Sequence, residues 1–319
     1  LSENIYVTPY GNDSTNIGSS DSPFKTINHA LSWAGASENS PVTIYLNDGT
    51  YSPSTTGEIF PLYLTSYINL VGQNSAAVII DAEQTEQVIT VDNVENIEIQ
   101  GMTIRGGISL RGGGVYINNS SEVDLTNVNI IDNKAENNGG GMYLDRSNSI
   151  LTDVTISDNE CDNGGSQCDG GGMSIVSSDP TLINVIISQN KAQNGGGLHL
   201  NGSNPNLTHV RIIENTAQAG GGMFLIGGFM PDWETKNVDF IIEDVIIANN
   251  HADWQGGGIF ILGWETHLSN MIITENSSSR IGGGISVFMF THYVYLSNIS
   301  ITHNMAEVKG AGINIETFK

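Results

Sequence analysis

Positive charge is what this sequence has least of: 11 lysines and arginines stand against 34 aspartates and glutamates, a formal net charge of −23 over 319 residues. A field of that sign repels phosphate backbones and anionic lipid headgroups, so nucleic-acid binding is excluded. Long apolar runs are missing too. Asn, Asp, Gly or Ser interrupts every hydrophobic stretch short of the ~18 residues that a bilayer-spanning helix needs, which sets membrane insertion aside. Cysteine is nearly absent, with Cys161 and Cys168 sharing one Gly/Asp-rich loop. That loop lacks the further His or Cys that zinc would require, so a disulfide is favoured and with it an oxidising compartment. The first residue is Leu1 instead of Met, as after removal of an export signal or after trimming. An extracellular or cell-surface location is the expectation.

What the sequence has in quantity is repetition. An apolar-x-x-Asn tetrad recurs from Ile130 to Asn133, and again ending at Asn159, Asn190, Asn215, Asn250, Asn276 and Asn304. Each tetrad is followed by a glycine cluster and an apolar-x-apolar triplet, such as GGGMYL from Gly139 and GGGLHL from Gly195. Subtracting successive Asn positions gives 26, 31, 25, 35, 26 and 28 residues. A fixed period of this kind marks a solenoid. The two longest gaps carry insertions, the cysteine loop and the stretch from Ile226 to Val238.

Within a repeat, Leu151, Val154 and Ile156 alternate with Thr152 and Thr155, the pattern of short strands with one buried face. Such strands cannot bury that face alone. Coiling stacks Leu125 on Leu151, Leu182 and Leu207, and Val128 on Val154, Val185 and Val210. No repeat contains a helical stretch long enough for a βαβ crossover. The expected fold is therefore all-β, a right-handed single-stranded parallel β-helix. Because GGG precedes a strand instead of opening a helix, the glycines are read as coil corners and not as a phosphate cradle. The repeated Asn residues are read as a turn ladder, in the left-handed conformation that Asn tolerates.

Before residue 60 the texture changes. Ile5–Val7 and Val42–Leu46 read as strands, and Phe24–Ala34 as an amphipathic helix after the turn SSDSP. This is an N-terminal capping segment, residues 1–60, continuous with the coils of residues 61–319 in one structural domain. A capping helix would protect the open end of the stack.

The opening IYVTPYGNDSTNIGSSDSPFKTINHALSWA resembles the N-terminal cap of secreted bacterial pectate-lyase-like β-helix proteins. The tetrads and glycine clusters are similar to the repeats of chlamydial-type polymorphic outer-membrane proteins. The resemblance covers nearly the whole chain and specifies fold far more than function, because related coils serve lyases, hydrolases, epimerases, adhesins and fibres.

Lyases on this fold combine carboxylates holding Ca²⁺ with an outward Arg or Lys as base. The residues here that come nearest are Arg211, His209 and Asp244, with Glu243 beside them; a surface salt bridge is the plainer reading. Arg211 is expected between Ile186 and Ile246. Paired acids for glycoside hydrolysis are sought at Asp153 with Asp158 and at Asp132 with Asp158. No cofactor is required, though Asp158, Glu160, Asp162 and Asp169 concentrate carboxylates that would suit calcium.

Rings suggest more than acids do. The middle position of the post-glycine triplet reads Tyr116, Tyr143, Ser174, His199, Phe224, Phe260, Ser286, Asn314. Tyr143, Phe224 and Phe260 on this outward column, with Trp233, Trp264, Phe288 and Phe290 beside it, would form an exposed face for a polysaccharide or surface glycan, or for another copy of the protein. Outward Ile186, Ile246 and Ile272 make a second apolar stripe. The expected function is a non-catalytic surface protein, adhesive or structural. A carbohydrate-active enzyme and a building block of an extracellular filament are the alternatives.

Overall fold

The computed structural model describes residues 3–164, 168–226, 238–239, 241–263, 266–289 and 294–317. One coil shows how the chain turns. Met142–Asp145 forms a strand on the first face, Ile150–Thr152 and Thr155–Ser157 follow on the second and third, and Glu160–Cys161 starts a fourth. Left-handed corners stand at Arg146, Asp153, Asp158 and Gly170, with φ of 49°, 56° and 57° for the first three and 75° for the glycine. Each corner bends the chain without a long loop, because a single residue at positive φ reverses the local direction of the backbone.

Repeating this path gives a right-handed parallel β-helix. The first face is a 10-stranded parallel sheet running from Leu62–Leu64 to Ile313–Thr317, one strand per coil. Register is strict: Leu125 pairs with Leu151, Leu151 with Leu182, and Leu182 with Leu207. Those leucines and Val128, Val154, Val185 and Val210 are all buried in one core that runs the length of the stack. Burying each such side chain contributes roughly 1.5–3 kcal/mol before conformational entropy is charged against it.

The asparagine ladder is present, with one correction. From Asn133 through Asn276 the backbone N–H and Nδ2 of each ladder Asn donate to Oδ1 of the next, as from Asn190 to Asn215 at 3.0 Å for both. Nδ2 also donates to a carbonyl of the preceding coil, Ile156 O at 2.9 Å for Asn190. The left-handed residue, however, is the one before the ladder: Asp132, Asp158, Gln189, Glu214, Asn249, Glu275 and His303 carry the positive φ. The turn needs a residue whose side chain faces water at the strained position and an amide facing inward beside it. Two adjacent positions do what one was expected to do.

Glycine is required where coils touch. Gly195 has φ +62°, and a Cβ on Gly196 would lie 2.5 Å from the Thr216 carbonyl oxygen and 2.6 Å from that of Gly221. No side chain fits there, which bears out the structural reading of the cluster.

At the N-terminal end, Glu3–Val7 pairs with Val42–Leu46, which pairs with Ile68–Gly72, so the capping strands already belong to the stack. The helix spans Ile27–Trp33, three residues shorter at its start than expected. Phe24 is held extended instead, donating its N–H to Tyr6 O and accepting from Thr8 N. Thr26 caps the helix, and the buried Glu58 carboxylate accepts from the N–H groups of Ile27 and Asn28, both at 2.8 Å. Burial pushes the Glu58 carboxyl up, against these hydrogen bonds. Phe24, Ile27 and Ala30 close the end of the core.

Candidate functional site

On the first face, inward side chains fill the core and the middle residue of each triplet points away from it. Strand pairing aligns these in one column: Tyr63, Thr90, Tyr116, Tyr143, Ser174, His199, Phe224, Phe260, Ser286 and Asn314. Pointing away from the core is not the same as meeting water. Tyr143, Phe224 and Phe260 are each only 4% exposed, so the expected open face does not exist at these three rings. Phe224 packs on Phe260 with ring centroids 4.9 Å apart. The pair joins Ala219, Ile226, Leu262 and the partly buried Phe288 in a small cluster outside the main core. Trp233, Trp264 and Phe290 lie outside the described residues.

Between Tyr143 and Phe224 the column turns polar. His199 is 1% exposed. Its Nδ1 lies 3.2 Å from Ser174 Oγ, and its Nε2, which has no hydrogen-bond partner, lies 3.8 Å from Asp169 Oδ2. Burial lowers the His199 pKa below 6.5 and the Asp169 carboxylate partly offsets this. The three residue types are those of a nucleophilic triad, but Ser174 is fully buried and no substrate carbonyl can reach it.

The open part of the column is at its N-terminal end. Tyr63 is 64% exposed, and Thr90 and Tyr116 are partly exposed. Tyr116 stacks on Tyr143 at 5.6 Å between centroids and 12° between planes, so the buried ring backs the open one. Arg111 places its guanidinium carbon 5.5 Å from the Tyr143 centroid, a cation–π contact. Arg111 is exposed and makes no ion pair among the described residues. The rim carries Asp92, Asn118 and Arg146: Asn118 Nδ2 donates to Asp92 Oδ1 at 2.7 Å, and Arg146 Nη2 donates to Asn118 Oδ1 at 3.1 Å. Burial, then the nearby Asp92 charge, pushes the Tyr116 hydroxyl pKa up, so the phenol stays protonated and able to donate. Tyr63 was missed in the sequence because its triplet, LYL from Leu62, has no glycine cluster before it. The apolar-x-apolar triplet alone was the available signal.

Of the proposed bases and acids, the structure brings His209 and Asp244 together. Arg211 stands between Ile186 and Ile246, as expected. His209 and Asp244 occupy left-handed corners of successive coils, with Nε2 and Oδ2 4.0 Å apart and both side chains mostly exposed. Asp132, Asp153 and Asp158 are corner residues too. The four carboxylates of the cysteine loop go separate ways among the described residues. Asp158 faces solvent, Glu160 pairs with Lys191 at 3.1 Å and Lys134 at 3.6 Å, Asp162 accepts from Gly164 N, and Asp169 turns inward to Asn194. No three His, Cys, Asp or Glu among the described residues are placed to hold a metal ion. Cys161 and Cys168 form the expected disulfide. Cys161 pairs with Ala135 on the fourth face, and the bridge is buried with Ala135 and Ala192 in a cluster of its own.

Ten parallel coils, an amide ladder and a helix-capped end define a β-helix of the pectate-lyase-like type. Within that class, the sequence model of the family described as protein of unknown function (DUF1565) matches residues 9–220, two thirds of the chain, and the protein belongs to that family. No curated protein matches the sequence. Among solved structures, the chain is similar to pectate lyase Pel9A, with a TM-score of 0.50 and 13% identity over 99% of this chain and 79% of that one. It is similar in the same degree to a rhamnogalacturonan lyase, with a TM-score of 0.50 and 12% identity over 99% of this chain and 87% of that one. At such identities these likenesses show the fold alone. No helix among the described residues is long and apolar enough to cross a membrane.

Proposed function

We propose that this protein is a non-catalytic extracellular β-helix that holds a polysaccharide on the tyrosine platform of its first face. The carrying observation is the coincidence of exposed Tyr63 and partly exposed Tyr116, two coils apart on one column, with the Arg111 guanidinium over Tyr143, the buried ring behind Tyr116. Sugar rings stack their C–H faces on aromatic rings, and tyrosine hydroxyls and rim amides bond the hydroxyls. Coils repeat at about 4.8 Å, so a glycan lying along the stack meets equivalent positions in succession. A disulfide favours an oxidising compartment, and two solved structures of similar fold are named as a pectate lyase and a rhamnogalacturonan lyase.

Retardation of the protein in gels cast with acidic and neutral polysaccharides, with and without Ca²⁺, tests this reading. Retardation by at least one polymer, lost in Tyr63→Ala/Tyr116→Ala, supports it; no retardation by any polymer contradicts it. The similarity to two lyases favours a second reading, a polysaccharide lyase or other carbohydrate-active enzyme. New unsaturated or reducing ends in the same incubations would establish that one instead.

A further inference from the structure

The third face carries a feature that the platform does not use. A cleft of about 580 Å³ crosses three successive coils, lined by the corner residues Asp244, Asn270 and Asn298 and by strand residues that include Ile272 and Ser300. The corner side chains form their own ladder, Asn298 Nδ2 donating to Asn270 Oδ1 at 2.7 Å. Ile272 is 42% exposed, and Ile246 pairs with it one coil earlier. Beyond Ile246 the same outward line continues with Arg211 and Ile186.

We infer that this corner cleft is a second carbohydrate site, separate from the tyrosine platform, and that it takes an uncharged glycan. Two of its three corner groups are amides, which both donate and accept and so match hydroxyls, which do the same. The exposed Ile272 side chain offers the apolar contact that the C–H face of a sugar requires. Charge decides against the other occupants. A uronate polymer would bring its carboxylates against Asp244, whose neighbour His209 at 4.0 Å offsets it only when protonated, on a molecule of net charge −23, and a second copy would bring the same acidic surface against itself. A chain of neutral sugars meets neither cost.

Substitutions can remove the cleft chemistry without disturbing the coil. Asn270 and Asn298 have φ of 53° and 51°, so Asn270→Gly/Asn298→Gly deletes both amides at positions where glycine is at ease. Ile272→Thr keeps a β-branched strand residue and removes the exposed apolar side chain. Titration calorimetry with cellohexaose, xylohexaose and mannohexaose, and with oligogalacturonate and chitosan oligomers, gives the readout. The expected result is binding of at least one neutral hexasaccharide that falls five-fold or more in each cleft variant, and by the same factor when the cleft substitutions are added to a Tyr63→Ala/Tyr116→Ala background. Cleft variants that bind every probe as the parent does would overturn the inference, as would absence of neutral binding or a cleft-dependent preference for the charged oligomers. Loss of platform binding alone leaves this site standing, and the platform stands if this site fails.

Discussion

The two halves of the outward column on the first face share backbone, register and distance from the core, yet they end in opposite environments. From Tyr63 to Tyr116 the side chains reach solvent; from Tyr143 through Ser286 every one is buried. In the first half the rings are a surface. In the second they are packing, with Phe224 and Phe260 forming a satellite cluster and His199 sealed among Ser174 and Asp169. Strand alternation sets which side of a sheet a residue occupies. Whether that side is wet depends on what other parts of the chain lie over it, and alternation carries no information about that.

The comparison predicts unequal costs for equal truncations. Phe260→Ala should lower the unfolding free energy by about 3–5 kcal/mol, the usual result of emptying a packed aromatic site. Tyr63→Ala should stay within ~0.5 kcal/mol of the parent. Chemical denaturation of both variants measures the contrast, and equal losses would break it. On another face, Asn215→Leu removes the acceptor for Asn190 N and Nδ2 and the donor to Ile187 O. A loss of about 2–3 kcal/mol is expected, since buried polar groups left without partners cost roughly 1–3 kcal/mol each and the coil can partly relax. An unchanged denaturation midpoint would mean that the ladder contributes nothing net.

A smaller effect tests the covered half through pH. His199 has a folded pKa below its unfolded value of 6.5, so the native state resists protonation. The stability that neutral His199 confers is fully present above that unfolded value and is lost as the pH falls through 6.5 toward the folded pKa. Melting temperature should therefore fall between pH 7.5 and 5 more steeply in the parent than in His199→Gln. Parallel pH profiles for the two proteins would place the imidazole in contact with solvent.

Much of this architecture is legible in the residues. The leucine stack, the amide ladder, the glycine corners, the Cys161–Cys168 bridge and the setting of Arg211 between two isoleucines all follow from local spacing plus a repeat, because parallel in-register stacking converts sequence period directly into contact. What escaped has a common origin in interactions that period does not encode. Phe24 forms sheet hydrogen bonds instead of helical ones because the first strand offers partners. The left-handed corner falls one residue before each ladder Asn, where Asp, Gln, Glu, Asn and His all occur, so no single residue type signals it. Glu160 and Asp162 are neighbours in sequence, but two lysines hold one and a backbone N–H the other. Tyr63 lacked the glycine prefix that marked its column.

The central claim is that the open half of the column binds and the covered half only packs. Retention on polysaccharide gels of Tyr63→Ala/Tyr116→Ala, with its thermal unfolding recorded on the same preparation, tests it most directly. A loss of about 1–3 kcal/mol of binding free energy per stacked ring, with a melting temperature close to the parent's, is the predicted result. Retention equal to the parent's on every polymer that the parent binds would contradict the account.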